Sequence, residues 1–167
     1  MDSYLERLRR ELDRATGNAS ASEMARAPSG KWSVAQILEH LFLSYKVTNA
    51  GLAKCVEQTA LPTRRPTLKD RFATMLVVNA GYIPKGRKAP DRVMPQGMPL
   101  EEVRPAILVE LEKLSASLDD CERRFGRQAK ILQHLFLGPL TADQWRKFHW
   151  VHGRHHLRQI RERMAKS

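Results

Sequence analysis

The chain has little cysteine and no long apolar run, and each absence excludes a class of protein. Its two cysteines, Cys55 and Cys121, stand far apart and form no CxxC pair, which argues against a disulfide framework and favours a reducing compartment. No stretch approaches the length of a transmembrane helix, and the charged first residues lack the apolar run of a secretory signal. We therefore expect a cytoplasmic protein with no membrane partner.

Acidic residues are scarce beside basic ones. The sequence has 29 Lys and Arg against 18 Asp and Glu, a formal net charge of +11, which would attract nucleic acid, an anionic membrane or an acidic substrate. The positive residues are dispersed, however, without aromatics interleaved for base stacking. A solvated basic surface is therefore favoured over nucleic-acid binding. One local excess comprises Arg64, Arg65, Lys69, Arg71, Lys85, Arg87, Lys88 and Arg92.

Helical periodicity is the main pattern that is present. Four amphipathic segments predict an all-α fold, and no alternating pattern is strong enough to predict a strand. Ser33 with Gln36, and Thr141 with Gln144, form capping-box patterns at two of the helix starts. We expect one domain over residues 1–167, with helices at about Ser3–Ala15, Ser33–Glu57, Leu100–Phe125 and Thr141–Met164.

The connections between these helices are unequal. A long connection, with one short helix predicted near Asp70–Ala80, separates the second and third helices, whereas the other two connections are much shorter. A long connection permits a crossover between parallel neighbours. We therefore predict a four-helix bundle in which the second and third helices are parallel and the fourth is antiparallel to the second.

Histidines recur on one face of the fourth predicted helix. At about 100° per residue, His149, His152 and His156 fall within a sector of roughly 60°, together with Trp145 and Ile160. Burying imidazoles without partners costs free energy, so a core-facing histidine stripe needs a reason. His152 and His156 have the i, i+4 spacing that lets two imidazoles from adjacent turns meet one ion. The stripe therefore predicts two of the three ligands of a metal site.

A third ligand is expected from another helix at the same height. In an antiparallel pair, His40 of the second helix is level with His152 and His156 to within about one turn, or roughly 5 Å. Three imidazoles with open positions are typical of a catalytic site, because a structural zinc site is normally closed by a fourth protein ligand. Nitrogen ligands suit zinc, nickel, iron or copper, so the spacing does not select the metal.

Four further polar residues, His149, His155, His134 and Gln159, lie near the stripe or in the loop before it. His149 is open to three interpretations: an alternative ligand, an acid or base near the metal, or a hydrogen-bonded core histidine, of which the last is favoured. His155 is predicted to be a bystander at the rim, and His134 lies in a loop. Gln159 lies one turn beyond His156 and is predicted to hydrogen-bond a ligand.

The motifs together resemble a known superfamily. Trp32-Ser33 followed by His40-Leu41, and then His152-x-x-x-His156-x-x-Gln159, resemble the DinB/YfiT-like superfamily of metal-binding four-helix bundles. The Gly138-Pro-Leu-Thr-x-x-Gln-Trp145 segment and the C-terminal His-His-Leu-Arg-Gln run look like a bacterial branch of unknown function. His134 lacks the Pro that follows the equivalent histidine in that branch, so no role is carried over to it.

The resemblance implies a fold, a metal site and a chemistry. It implies a down-up-up-down bundle and a divalent metal held by His40, His152 and His156. Characterised relatives include metal-dependent thiol transferases and a thiol-dependent isomerase, which use low-molecular-weight thiols such as bacillithiol, mycothiol or glutathione. Relatives are often dimers, which makes a homodimer an expectation here, although no segment of the sequence identifies an interface.

Three functional hypotheses follow. The leading one is a cytoplasmic metalloenzyme in which zinc, nickel or iron activates a thiol or a water for attack on a small electrophile, with basic residues of the long connection binding the carboxylates of an anionic thiol. The second is a non-catalytic metal-binding or stress-response protein, because GxSxG, P-loop and HExxH motifs are absent and Asp143 and Glu162 fall outside the histidine face. The third, nucleic-acid binding, rests on charge alone.

Overall fold

The computed structural model describes residues 3–59, 61, 64–84, 86 and 88–165. The fold is mostly helical, as predicted, and the described ranges contain one small sheet. None of the helices in these ranges combines the length and the apolar character needed to cross a membrane. The helices are α1 (Ser3–Thr16), α2 (Ala21–Ala25), α3 (Val34–Glu57), α4 (Leu68–Thr74), α5 (Leu100–Phe125) and α6 (Ala142–Met164); the strands are β1 (Leu132–His134) and β2 (Gly138–Leu140).

The capping-box predictions for α3 and α6 are confirmed. The Ser33 hydroxyl accepts the N–H of Gln36 at 3.2 Å, while the Gln36 side chain accepts the N–H of Ser33 at 2.9 Å. Thr141 and Gln144 make the same reciprocal pair at the start of α6. These bonds satisfy N–H groups that the first helical turn leaves without partners. They fix where each helix begins, and therefore which residues face the core.

The apolar stripes of α1, α3 and α5 form much of the core. α3 packs along α5, and α1 packs along α6. Cys55 and Cys121 are buried there, and burial raises the pKa of both thiols, that of Cys121 to about 12. The stripe residues are Leu5, Leu8 and Leu12 of α1, Val34, Ile37, Leu38, Leu41, Tyr45 and Leu52 of α3, and Val103, Ile107, Leu111, Leu114 and Leu118 of α5.

The expectation that the chain has no strand is wrong. β1 and β2 pair antiparallel, with His134 opposite Gly138, but three residues per strand are too few to show an alternating pattern. Gly138 has a φ of 71°, and a Cβ there would lie 2.5 Å from Cγ of Asp70. The hairpin therefore needs glycine at this position to pack against α4.

The long connection contains more structure than predicted. The short helix expected near Asp70–Ala80 is α4 followed directly by a π-helical turn, Met75–Asn79, and a 3-10 turn spans Asp91–Val93. The buried Glu39 carboxylate of α3 accepts the N–H groups of Gln96 at 2.8 Å and Gly97 at 3.0 Å. This pair of charge-assisted bonds ties the end of the connection to α3.

Candidate metal centre

The structure brings together the three histidines that the sequence singled out. His40 lies in the second turn of α3, and His152 and His156 lie on successive turns of α6. Nε2 of His152 is 3.2 Å from Nε2 of His40 and 3.1 Å from Nε2 of His156. One ring nitrogen from each residue lies within 4.8 Å of the others. Such a set could hold one metal ion.

A backbone carbonyl sets the tautomer of His40. Nδ1 of His40 lies 2.8 Å from the carbonyl oxygen of Val93, in the 3-10 turn of the long connection. Because a carbonyl oxygen only accepts, Nδ1 carries the ring proton and Nε2 presents a lone pair to the other histidines. Sequence reasoning missed Val93, since a backbone acceptor leaves no signal in the identity of the residue.

Two side chains set the tautomer of His156. Nδ1 of His156 lies 2.9 Å from Oε1 of Gln159, which accepts the Nδ1 proton. The amide nitrogen of Gln159 donates to Nε2 of His155 at 3.2 Å, and this bond decides which end of the amide faces His156. The hydrogen bond predicted between Gln159 and His156 is confirmed. His155 lies outside the three-histidine cluster, as predicted, but it also helps to orient His156 through its bond to Gln159.

Aromatic rings flank the cluster. The ring of Phe148 stacks on His152 with centroids 5.6 Å apart and an interplanar angle of 8°, and Trp32 lies 5.0 Å from His40. Nδ1 of His152 is buried and has no hydrogen-bond partner among the described residues. Stacking on Phe148 therefore positions His152, whereas hydrogen bonds position the other two histidines.

The cluster is electrically neutral at neutral pH. Burial lowers the pKa of His156 to about 3 and holds that of His152 well below its ordinary value. Burial also lowers the pKa of His40, against a smaller opposing effect of the Val93 hydrogen bond. Within the described ranges no carboxylate joins the cluster. Neutral imidazoles are the form in which histidine binds metals, so the site needs no proton release to take up an ion.

The donor set fits a divalent transition metal. Nε2 of His40 and Nε2 of His156 can only accept, because their ring protons are committed to Val93 and Gln159. A proton on Nε2 of His152 can be donated fully to only one of them, whereas a metal ion binds all three lone pairs. Three imidazole nitrogens suit zinc, nickel, iron or copper, so the donor set does not select among these metals.

His149 is separate from this cluster. It is 1% exposed and packs against Trp145, with ring centroids 5.6 Å apart, and against Tyr45 at 5.3 Å. Neither ring nitrogen has a hydrogen-bond partner in the described part of the chain. The favoured interpretation is therefore half right: His149 is a core histidine, but the expected hydrogen bond is absent. Burial lowers its pKa to about 3.

The basic excess of the long connection is only partly available for a ligand. The guanidinium of Arg64 donates two hydrogen bonds to the Asp70 carboxylate, and these lower the Asp70 pKa. Asp70 also caps α4 through Thr67. Lys85 and Arg87 lie outside the described residues. Arg64 thus has a structural task, and the predicted binding of an anionic thiol depends on the other cations.

The sequence model of one protein family matches nearly the whole chain. That family carries the description protein of unknown function (DUF1569), and the match spans residues 6–163. It includes α3 and α6, the two helices that carry the three-histidine cluster. No curated protein and no solved structure matches the chain significantly.

Proposed function

Because the chain belongs to the DUF1569 family, whose description assigns no activity, we propose a function from the three-histidine cluster itself. The protein is a divalent-metal-dependent enzyme in which His40, His152 and His156 hold zinc, nickel or iron. It joins a low-molecular-weight thiol, through its sulfur, to a small electrophile. The observation that carries this proposal is the convergence of three Nε2 atoms, two of which have their lone pairs turned inward by Val93 and Gln159.

The chemistry needs few groups beyond the cluster. A divalent ion with open positions lowers the pKa of a bound thiol or water, which makes either one nucleophilic at neutral pH. In thiol transfer, the sulfur forms a bond to carbon, the halide or epoxide oxygen leaves with the electron pair, and the thiol proton goes to the leaving group or to solvent. Phe148 and Trp32 supply apolar surface beside the reacting atoms.

The fold assignment belongs to the same proposal. We place the chain in the DinB/YfiT-like superfamily, with a down-up-up-down bundle. Contacts along α3 support this topology. As the residue number along α3 increases, the residue numbers of its partners on α6 decrease, which indicates an antiparallel pair. The residue numbers of its partners on α5 increase, which indicates a parallel pair. The pairs with α6 are Trp32–Arg163, His40–His156 and Tyr45–His149, and those with α5 are Asn49–Glu110 and Gln58–Arg124.

A non-catalytic metal-binding or stress-response protein is the second candidate. It is favoured by the lack of a carboxylate in the cluster over the described ranges, since a general acid or base is common beside a catalytic metal. Glu39 is the neighbour of His40 in sequence, but its two carboxylate oxygens are occupied by Gln96 and Gly97. The two candidates share the metal site and differ in turnover.

Metal analysis tests the site. We expect untagged protein, purified and dialysed, to hold about one divalent ion per chain, and His152→Ala to hold none. His149→Phe is the matched control, because His149 lies one turn from His152 without belonging to the cluster, and it should keep the ion. Equal metal content in the wild type and His152→Ala would reject the site.

Turnover separates the two candidates. The metal-loaded protein is incubated with a model epoxide or alkyl halide and, in turn, glutathione, bacillithiol or mycothiol, and the thioether product is measured. Thiol-dependent product that disappears on chelation and returns with added metal supports the enzyme. Full metal occupancy without product from any pairing favours the non-catalytic protein.

A further inference from the structure

The β-hairpin fixes the tautomer of His134. Its Nδ1 accepts the backbone N–H of Phe136 at 3.1 Å and that of Leu137 at 3.3 Å. A nitrogen that accepts cannot carry the proton of a neutral imidazole, so the ring proton lies on Nε2. Burial, with a smaller effect from the charge of Arg92, lowers the pKa of His134 to about 4. At neutral pH His134 is thus a neutral N–H donor whose direction the hairpin sets.

This donor lies one aromatic ring away from the three-histidine cluster. The ring of His134 contacts Phe148 edge to face at 4.5 Å, and Phe148 stacks on His152. Nε2 of His134 makes no hydrogen bond within the described ranges, and it is not among the buried nitrogens that lack a partner. The Nε2–H group therefore reaches solvent close to the candidate metal centre.

Arg92 adds a positive charge beside His134. It is exposed and belongs to the same 3-10 turn as Val93, which orients His40. Its guanidinium is close enough to act on the pKa of His134. Arg92 forms no ion pair with any residue that the structure describes, so its charge is available to a ligand.

We infer that His134 and Arg92 bind the anionic group of the substrate that reacts at the metal centre, and that this group is a carboxylate. The inference rests on the proposed function, because it assumes that the three-histidine cluster holds an ion. A guanidinium and a neutral N–H can both donate to the oxygens of one carboxylate. Leu135 and Phe136, at the tip of the hairpin, are 58% and 47% exposed. They offer apolar surface to the carbon chain of the substrate.

The first experiment needs no metal. Long-range proton–nitrogen NMR spectra of metal-free protein with 15N-labelled histidine report the tautomer of each ring, and His134→Phe identifies the His134 signals. We expect the Nε2–H form from about pH 5 to about pH 8, and we expect propionate, but not propanol, to shift these signals. An Nδ1–H tautomer, titration near the ordinary histidine pKa, or equal responses to the two probes would overturn the inference even if metal binding failed.

The second experiment tests whether one ligand can bind the metal through its thiol and His134 and Arg92 through its carboxylate. Protein loaded with Co2+ is titrated with 3-mercaptopropionate and 3-mercaptopropanol, and with the six-carbon pair 6-mercaptohexanoate and 6-mercaptohexanol, while the thiolate-to-cobalt absorbance gives each Kd. Two lengths are used because the span from the ion to Arg92 decides which chain reaches. We expect the carboxylate of at least one pair to bind about tenfold tighter than its alcohol, because Arg92 and His134 would each donate a hydrogen bond to the carboxylate.

Three variants test whether Arg92 and His134 cause the preference for the carboxylate over the alcohol. Arg92→Ala and His134→Phe should each reduce it to about threefold or less without changing Kd for the alcohols or the cobalt content. Lys69→Ala, which removes an exposed cation from α4, should leave it unchanged. No preference in the wild type, or the same preference in all three variants, would contradict the assignment. Loss of cobalt binding in wild-type protein would instead reject the proposed function, and the metal-free NMR result would still decide the roles of His134 and Arg92.

Discussion

His149 and His152 lie one turn apart on α6 and face the same way, yet the two rings have different neighbours. His149 is enclosed by Trp145 and Tyr45, and neither of its ring nitrogens has a described partner. His152 directs Nε2 toward His40 and His156, at 3.2 and 3.1 Å. Both have pKa values lowered chiefly by burial. Burial alone therefore does not identify a ligand.

The difference lies in what surrounds each ring. Around His152, hydrogen bonds from His40 to Val93 and from His156 to Gln159 turn two further lone pairs toward one point. Around His149 lie the aromatic rings of Trp145, Tyr45 and Phe148, and no group that the structure describes hydrogen-bonds either ring nitrogen of His149. A histidine becomes a metal ligand when other donors converge with it, and that convergence requires partners that hold their tautomers.

Exchanging a histidine of the cluster and His149, each for phenylalanine, should give the largest contrast. We expect His40→Phe to lose stoichiometric metal, because two nitrogens from α6 cannot replace a three-nitrogen site. His149→Phe should keep about one ion per chain, and it should match or exceed the wild type in thermal stability, since it removes two buried polar atoms. Metal analysis and thermal unfolding of both variants check this. Loss of metal from His149→Phe would show that His149 is a ligand.

Removing the orienting amide should have an intermediate effect. Gln159→Leu keeps the three Nε2 atoms but frees the ring of His156, so we expect metal affinity to fall by about 10- to 100-fold with the stoichiometry unchanged. His155→Ala should weaken binding less, because it affects His156 only through Gln159. Competition with a chromophoric chelator measures both affinities. Equal affinities for Gln159→Leu and wild type would mean that packing alone holds His156.

The pH dependence of stability should show the smallest difference over any one pH unit. The pKa of His149 is about 3 in the folded protein and about 6.5 in the unfolded chain. The unfolded state then binds a proton that the folded state excludes, so stability is complete above about pH 6.5 and is lost as the pH falls toward 3. Below about pH 6.5 the wild type should lose up to about 1.4 kcal/mol per pH unit more than His149→Phe. Urea denaturation of both proteins at a series of pH values measures this, and parallel curves would contradict it.

Much of the helical architecture could be predicted from local patterns. Capping boxes at Ser33 and Thr141 mark the starts of α3 and α6 because the cap bonds involve residues only three positions apart. The same pattern, at Ser20 and Glu23, caps α2, so this short helix could have been found. The hairpin could not, because Gly138 is required by the approach of Asp70, far away in the sequence.

The three histidines of the candidate site could be predicted from the sequence, but not all of the groups that orient them could. The spacing of His152 and His156, the height of His40 and the family resemblance carried by the motif with Gln159 together selected three of the six histidines. Val93 was missed, since its contribution is a backbone oxygen. The contribution of His155 was also missed, because its bond to Gln159 depends on side-chain directions that a helical wheel does not include.

What the sequence determined by itself is therefore local: where the long helices begin and end, which stripe of each is apolar, and that histidines lie on the inner face of α6. These follow from periodicity and from bonds between near neighbours. The tertiary structure decided which histidines share a point, which nitrogen of each carries the proton, and that His149 stands among aromatic rings. Those properties depend on atoms brought together from α3, α6 and the long connection, and no local pattern encodes their distances.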